Sequence, residues 1–280
     1  MDEFLHAVGF AHLNQDHNLY LYHVSVVILY VDDILIFGHT LSTVTTIKKS
    51  LPLKYSMVDL GKAKHYLGIY IKQDHNAHTI YLNQTRYITK ILKHFSMQDC
   101  KGISTPIATA TFPPCPIHPT EAITWMEYQS EVGKVMYTML GTHPDLTFAV
   151  SAVSKPHSCP ITAHHLAMGR VLRYPQATEN MEILYKGEAN STSVMPEPIC
   201  YTDSWDWAGD RDKCQSTSGF FIVLCGGAVS WKTRKQDIVA LSTTEAEYIS
   251  LTEASKEVIW MCRLLNEIGT DDSETYSTDM

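Results

Sequence analysis

The chain has 280 residues, 45% of them hydrophobic and 10% aromatic, enough to build two modest cores. Its formal net charge of −8 counts against a strongly duplex-binding surface, because phosphate is met by an excess of Lys and Arg. No basic-then-apolar leader pattern opens the sequence, and the longest apolar run is interrupted by Asp32 and Asp33. Neither secretion nor a membrane span is therefore expected, and the chain reads as intracellular, cytoplasmic or nuclear. The seven cysteines (Cys100, Cys115, Cys159, Cys200, Cys214, Cys225, Cys262) are odd in number and form no C-x-x-C pair. They read as reduced thiols, with no disulfide framework or zinc site expected. The 14 histidines are scattered, and His164-His165 has no thiolate or carboxylate neighbour at ligand spacing.

In chain order, Phe4, Leu5 and Val8 have helical spacing with a stop at Gly9. Val26 to Gly38 is rich in Val, Ile, Tyr and Phe on both sides of Asp32-Asp33, which predicts a hairpin with the two acids at or beside its turn. Two carboxylates converging at a turn suit a hard divalent cation, whereas Asp in a turn also serves purely local hydrogen bonding. The spacing leaves both readings open. Thr40 to Leu53 predicts a helix opened by Thr40 or Ser42 and closed near Pro52. Three strands follow in KYSMVDLG (54–61), HYLGIYIK (65–72) and HTIYLNQ (78–84), around turns at Gly61 and His75-Asn76.

From Thr85 the period turns helical, with Tyr87, Ile88, Ile91, Leu92 and Phe95 on one stripe and Arg86, Lys90, Lys93 and His94 between them. Five prolines between Cys100 and Trp125 (Pro106, Pro113, Pro114, Pro116, Pro119) predict a surface connector. Helices near 126–140, 144–155 and 161–174 complete a small bundle. Residues 187–197 are the best linker candidate. Strands at Ile199–Asp203, Ser218–Leu224 and Ala228–Trp231, a helix from about 243 to 267 and a strand near 274–279 close the pattern. Positive charge is local, at Lys48-Lys49, Lys62 and Lys64, Arg86 to Lys93, and Lys232 to Lys235.

Tyr30-Val31-Asp32-Asp33 followed by ILIFG is one of ten ordered motifs. The others are YSMVDLGKAKHYLGI (55–69), YLNQTRYITKILKHF (81–95), STPI (104–107), VGKVMYTMLGTHPDL (132–146), RVLRY (170–174), YTDSWDWAGD (201–210), STSGF (216–220), AVSWKTRKQ (228–236) and ALSTTEAEY (240–248). Over nearly the whole chain this order resembles the Pol polyprotein of copia-type LTR retrotransposons. The resemblance implies an α+β chain: a reverse transcriptase palm at 1–85, thumb and connection helices at 86–186, a linker at 187–198 and a partial ribonuclease-H-like domain at 199–280. It assigns metal binding and catalysis with Mg²⁺ or Mn²⁺ to Asp32 and Asp33. Leu67-Gly68 would grip the primer, although a Gly in an ordinary sheet bend reads the same from sequence. An RNA–DNA hybrid or template–primer duplex would be the partner.

For the ribonuclease H chemistry the resemblance nominates Asp203, a helix acid and Asp279 as metal-binding, catalytic acids. Glu245 and Glu247 compete for the helix position. They are separated by about 200° of rotation and cannot both face one metal. The Glu247-Tyr248-Ile249-Ser250-Leu251 pattern favours Glu247, and Glu245 has a ready alternative role beside the helix start. Three departures stand out: His143 where the family has Arg, Pro175 directly after Arg173-Tyr174, and an extra Trp205 beside Asp203. In the family a third palm Asp and the nucleotide-gripping fingers precede the first motif. The expectation is thus a catalytically incomplete relic, with a host-retained binding module or a residual hybrid nuclease as the alternatives.

Overall fold

Apolar residues fix the elements by their period, and caps fix where the elements stop. The computed structural model describes residues 1–23, 25–38, 40–51, 55–107, 125–156, 160–187, 196–205 and 214–269. The protein is mixed α and β, with three antiparallel sheets. By packing, the chain divides into two compact units.

The first unit comprises Met1–Ala63, Ser191–Pro198 and Lys256–Met280. Its opening elements are α1 (Asp2–Ala7), β1 (Ala11–His12), β2 (Leu19–Tyr22), β3 (Ser25–Tyr30), β4 (Asp33–Phe37) and α2 (Leu41–Ser50). The strands lie in the order β1-β2-β3-β4. Leu5, Phe10, Tyr20, Val27, Ile47 and Leu51 are buried together, each worth roughly 1.5–3 kcal/mol of transfer free energy. Thr40 caps α2 as its spacing predicts, its Oγ1 accepting from Thr43 N at 3.2 Å. The strand expected over 54–61 is absent from its described residues, 55–61. Val58 and Leu60 are 83% and 87% exposed, so no core rewards pairing there. Asp59 Oδ1 instead accepts from Gly61 N and Lys48 Nζ, both at 2.8 Å, and closes a polar turn.

The second unit comprises Lys64–Asn190 and Ile199–Ser255. It opens with β5 (His65–Tyr66), β6 (Ile69–Asp74), β7 (Thr79–Asn83) and α3 (Thr85–His94). Helices α4 (Trp125–Gly141), α5 (Thr147–Ser154) and α6 (Thr162–Thr178) follow, with a short 3₁₀ turn at Pro144–Leu146 before α5. Then come β8 (Ile183–Lys186), β9 (Ile199–Trp205), β10 (Thr217–Leu224), β11 (Gly227–Lys235) and the long α7 (Thr243–Gly269), which begins in this unit. One sheet runs β5-β6-β7-β8 and another β11-β10-β9. The helices share a core centred on Tyr128, Val135, Leu146, Met168 and Val171. Tyr128 OH is buried and donates to Val153 O at 2.6 Å. Burial, and then the nearby Glu131 carboxylate, push its phenol pKa far up.

Pro175 either ends its helix or sits inside it at a cost, and the second holds: α6 continues to Thr178 with Pro175 buried inside it. It lines a small cavity together with Ile88, Ile91, Leu92 and Leu172, an apolar setting that offsets part of the cost of the backbone bond it cannot donate. Trp205 is taken up without a bulge in β9, pairing with Thr217 in unbroken register. The irregularity lies one strand away, between Ile222 and Val223 of β10 against β11. The linker predicted at 187–197 falls mostly outside the described residues, as do most of the proline-rich connector and all of the strand predicted at 274–279.

Candidate active site

Strands β3 and β4 pair from Val26↔Phe37 to Tyr30↔Asp33, leaving Val31 and Asp32 as a two-residue turn. Val31 has φ +52°. For a β-branched residue this is a genuine outlier, costing on the order of 1–3 kcal/mol that surrounding structure must sustain. Val31 is itself 81% exposed, so ladder bonds on both sides, and not packing, hold the turn. Asp32 and Asp33 are both exposed, and neither carboxylate has a hydrogen bond or ion pair among the described residues. Hard oxygen donors on a stiff support fit a Mg²⁺-type ion, which takes one or two carboxylates and completes its shell with water and phosphate. Among the described residues no group of three His, Cys, Asp or Glu side chains is placed to hold a metal. The hairpin thus offers two ligands.

A second hairpin, between β5 and β6, turns at Leu67-Gly68, with φ +47° and +71°. Two successive left-handed residues make the type I′ turn that suits strand twist. Tyr137 of α4 donates its hydroxyl to Leu67 O. A Cβ at Gly68 would lie 3.3 Å from the Tyr137 hydroxyl oxygen, a tight approach, and the positive φ itself favours glycine. The Tyr87 ring meets Tyr137 edge-on at 4.8 Å, and Tyr87 OH donates to Lys134 O at 3.3 Å. Helices α3 and α4 therefore clamp this turn, an arrangement that no local sequence signal announced.

Beneath the clamp lies a buried polar cluster that sequence reasoning missed. Thr142 Oγ1 donates to Gln84 Oε1 at 3.0 Å and also lies 3.0 Å from His143 Nδ1, while His143 Nε2 sits 3.4 Å from Thr178 O. His143 is 2% exposed. Burial holds its pKa below the usual histidine range, against weaker opposing effects of Asp145 and the Thr178 carbonyl. The ring joins Thr142 to the Thr178 carbonyl here, where the resemblance led one to compare it with a permanent cation.

Asp203 sits in β9 opposite Gly219 and two residues from Tyr201, on the face shared with Phe221 and Trp231. Helix α7 packs on the opposite face: Ser250 Oγ lies 2.9 Å from Thr202 Oγ1 and donates to Asp203 O at 2.6 Å. Glu245 accepts from Leu241 N at 2.6 Å, and its own N–H donates to Ser242 Oγ at 3.1 Å. Its carboxylate is engaged at the helix start. Glu247 is exposed on α7, without a hydrogen bond or ion pair among the described residues. Strand alternation directs Asp203 away from the face α7 covers, and no described contact joins it to Glu247. Asp279 lies outside the described residues.

Residues 1–109, which carry both hairpins and α3, match the family described as Reverse transcriptase (RNA-dependent DNA polymerase). Over 256 residues the chain is 36% identical to the retrovirus-related Pol polyprotein from transposon TNT 1-94 of Nicotiana tabacum, covering 89% of this chain and 19% of that protein. It is 33% identical over 271 residues to the Pol polyprotein from transposon RE1 of Arabidopsis thaliana, covering 95% and 18%. An uncharacterized mitochondrial protein of Arabidopsis thaliana is 34% identical over 241 residues, 83% of this chain and 92% of that one. This chain belongs to the copia-type retrotransposon Pol family. It spans about a fifth of the Pol polyproteins it matches. No solved structure matches it. Among the described residues no helix is long and apolar enough to cross a membrane. Within the Pol family match, the reverse transcriptase description ends at residue 109, so the clamp from Tyr137 reaches into it from a helix further along the chain.

Proposed function

We propose that this chain is the strand-gripping part of a retrotransposon reverse transcriptase, with palm at 1–85, thumb and connection helices at 86–186, linker at 187–198 and the opening of a ribonuclease-H-like domain at 199–280. The observation that carries the reading is the pair of exposed carboxylates, Asp32 and Asp33, unpartnered among the described residues, on a ladder-held hairpin. In it these two residues hold Mg²⁺ or Mn²⁺, an ion that neutralises phosphate charge and orients an attacking oxygen when bound. The Asp33 backbone is anchored by its pairing with Tyr30. The Leu67-Gly68 turn presents bare backbone to a primer end, held in place by Tyr137. Arg86, Lys90 and Lys93 on α3 meet the duplex phosphates.

Two-metal phosphoryl transfer requires ions gripped from several sides, and the described residues supply a pair of acids where a larger set is needed. In this reading the chain by itself binds template–primer duplex without extending it. Asp203, Glu247 and Asp279 are the acids proposed for the ribonuclease-H-like half, with Glu245 kept at the helix start.

Primer extension with Mg²⁺ or Mn²⁺, run beside a salt titration of duplex binding, tests this. Salt-sensitive binding with no extension is expected. Extension that disappears in Asp33→Asn overturns the incompleteness, and absence of duplex binding by the folded chain overturns the strand-gripping reading. Cleavage of a labelled RNA–DNA hybrid that is lost in Asp203→Asn would establish a nuclease in its place.

A further inference from the structure

The helix bundle of the second unit buries a carboxylate that neither hairpin uses. Glu131 lies on the inward side of α4 and is 8% exposed. Its Oε2 is buried and accepts no hydrogen bond among the described residues. Burying a charge without hydrogen bonds is costly, and an unsatisfied buried oxygen calls for an ion, a water or a chemical role. Oε2 faces the imidazole of His165 on α6, with Nδ1 at 3.3 Å. From sequence His165 had no carboxylate at ligand spacing; folding brings one from another helix. The adjacent His164 is engaged elsewhere, its Nδ1 accepting from Ile161 N at 3.2 Å at the start of α6.

The separation decides between two readings of the pair. A charge-assisted N–H···O bond closes to about 2.7–2.9 Å. Two donors bonded at about 2.0–2.2 Å to one tetrahedral zinc stand roughly 3.4 Å apart. The Glu131–His165 distance is too long for the first and matches the second. Charge agrees with the distance. Burial raises the Glu131 carboxyl pKa; the charges of His165 and Lys134 oppose the shift, and the Glu127 carboxylate adds to it. Lys134 is already committed, its Nζ donating to Ser130 Oγ at 3.0 Å and lying 4.8 Å from the centre of the Phe95 ring. Glu127 is exposed one helical turn before Glu131. Two carboxylates beside one imidazole leave negative charge for a divalent cation to neutralise. As the side chains stand, two donors meet and not three; rotation of the Glu127 side chain supplies the third, and water the fourth. The His165 side chain is 47% exposed, which gives an ion its path from solvent. Mixed nitrogen and oxygen donors suit Zn²⁺, whereas Mg²⁺ prefers an octahedron of oxygens.

We propose that Glu131 and His165, completed by Glu127, form a zinc site that ties α4 to α6. It shares no residue with the hairpins and goes beyond the strand-gripping reading without resting on it.

Calorimetric titration of the full chain with Zn²⁺, beside urea denaturation with and without the ion, tests this. A saturable site is expected, weakened about tenfold or more when His165→Asn or Glu131→Gln removes a ligand, and less by Glu127→Gln. Glu131→Gln should fold, because it exchanges a buried charge for a neutral amide of the same shape. Zn²⁺ should raise the urea midpoint of the parent and leave that of His165→Asn where it was. Binding should weaken as pH falls, since both ligands bind deprotonated. Asp33→Asn should keep the site intact, which separates failure here from failure at the hairpin. The proposal is overturned if the folded chain binds no Zn²⁺, if His165→Asn and Glu131→Gln both bind it as the parent does, or if Mg²⁺ at equal concentration displaces it. A urea midpoint that Zn²⁺ does not move would overturn it too, leaving only an ion pair between the two helices.

Discussion

The two hairpins solve the same geometric problem in opposite ways. Both reverse direction through two residues, and both place a non-glycine in the left-handed region, Val31 at φ +52° and Leu67 at φ +47°. At Leu67-Gly68 the second residue is glycine, and a tyrosine from a distant helix binds the turn carbonyl. At Val31-Asp32 there is no glycine, and the turn stands in solvent with two acids beside it. One turn is held by tertiary packing. The other is held by its ladder and carries two carboxylates that have no partner among the described residues.

Several substitutions would break or sharpen this contrast. The largest effect is expected from Gly68→Val, which forces a β-branched side chain into the left-handed region and against Tyr137; it should cost about 2–3 kcal/mol in urea denaturation. If stability is unchanged, the clamp is not formed in solution. Acid should come next, acting on the clamped region through His143. Its pKa is lowered in the folded state, so the unfolded chain takes up the proton first as pH falls below about 6.5. Stability is then lost with falling pH until the folded ring titrates as well. Following Tm against pH in His143→Gln should show that this portion of the slope has gone. Tyr137→Phe keeps the ring and removes the hydroxyl, with a loss of about 1 kcal/mol and faster hydrogen exchange around Leu67. The smallest effect is expected at the free turn: Val31→Asn should stabilise by at most ~1 kcal/mol, because Asn tolerates the left-handed region. A destabilised Val31→Asn would mean that the valine packs against something.

What could be read from sequence follows from the range of the interactions. The hairpin at 25–37 was legible because β-branched and aromatic residues flank two charges, and α3 because its apolar stripe has a helical period. Residues 55–61 carry the same local signs of a strand as their neighbours, yet Val58 and Leu60 find nothing to pack on. Pro175 misleads for the converse reason, since its cost is local while its compensation comes from Ile88 and Leu92 on another helix. The Gln84, Thr142 and His143 cluster joins positions 58 residues apart and left no periodic trace. At the candidate site Asp32 and Asp33 were legible by type and spacing. Which way Asp203 faces was not, because it depends on which side of β9 helix α7 covers.

Pro175 also changes what holds the end of α6. It has no amide hydrogen to offer Val171 O, so the final turn of the helix lacks one bond of its own ladder. It is also tied down from outside, by Thr85 Oγ1 on Glu179 O at 2.8 Å and by the His143 ring beside Thr178 O. Those few amides form a local reporter: their protection from solvent exchange should track docking of the second unit's β7–α3 junction, and should fail before the rest of the helix does.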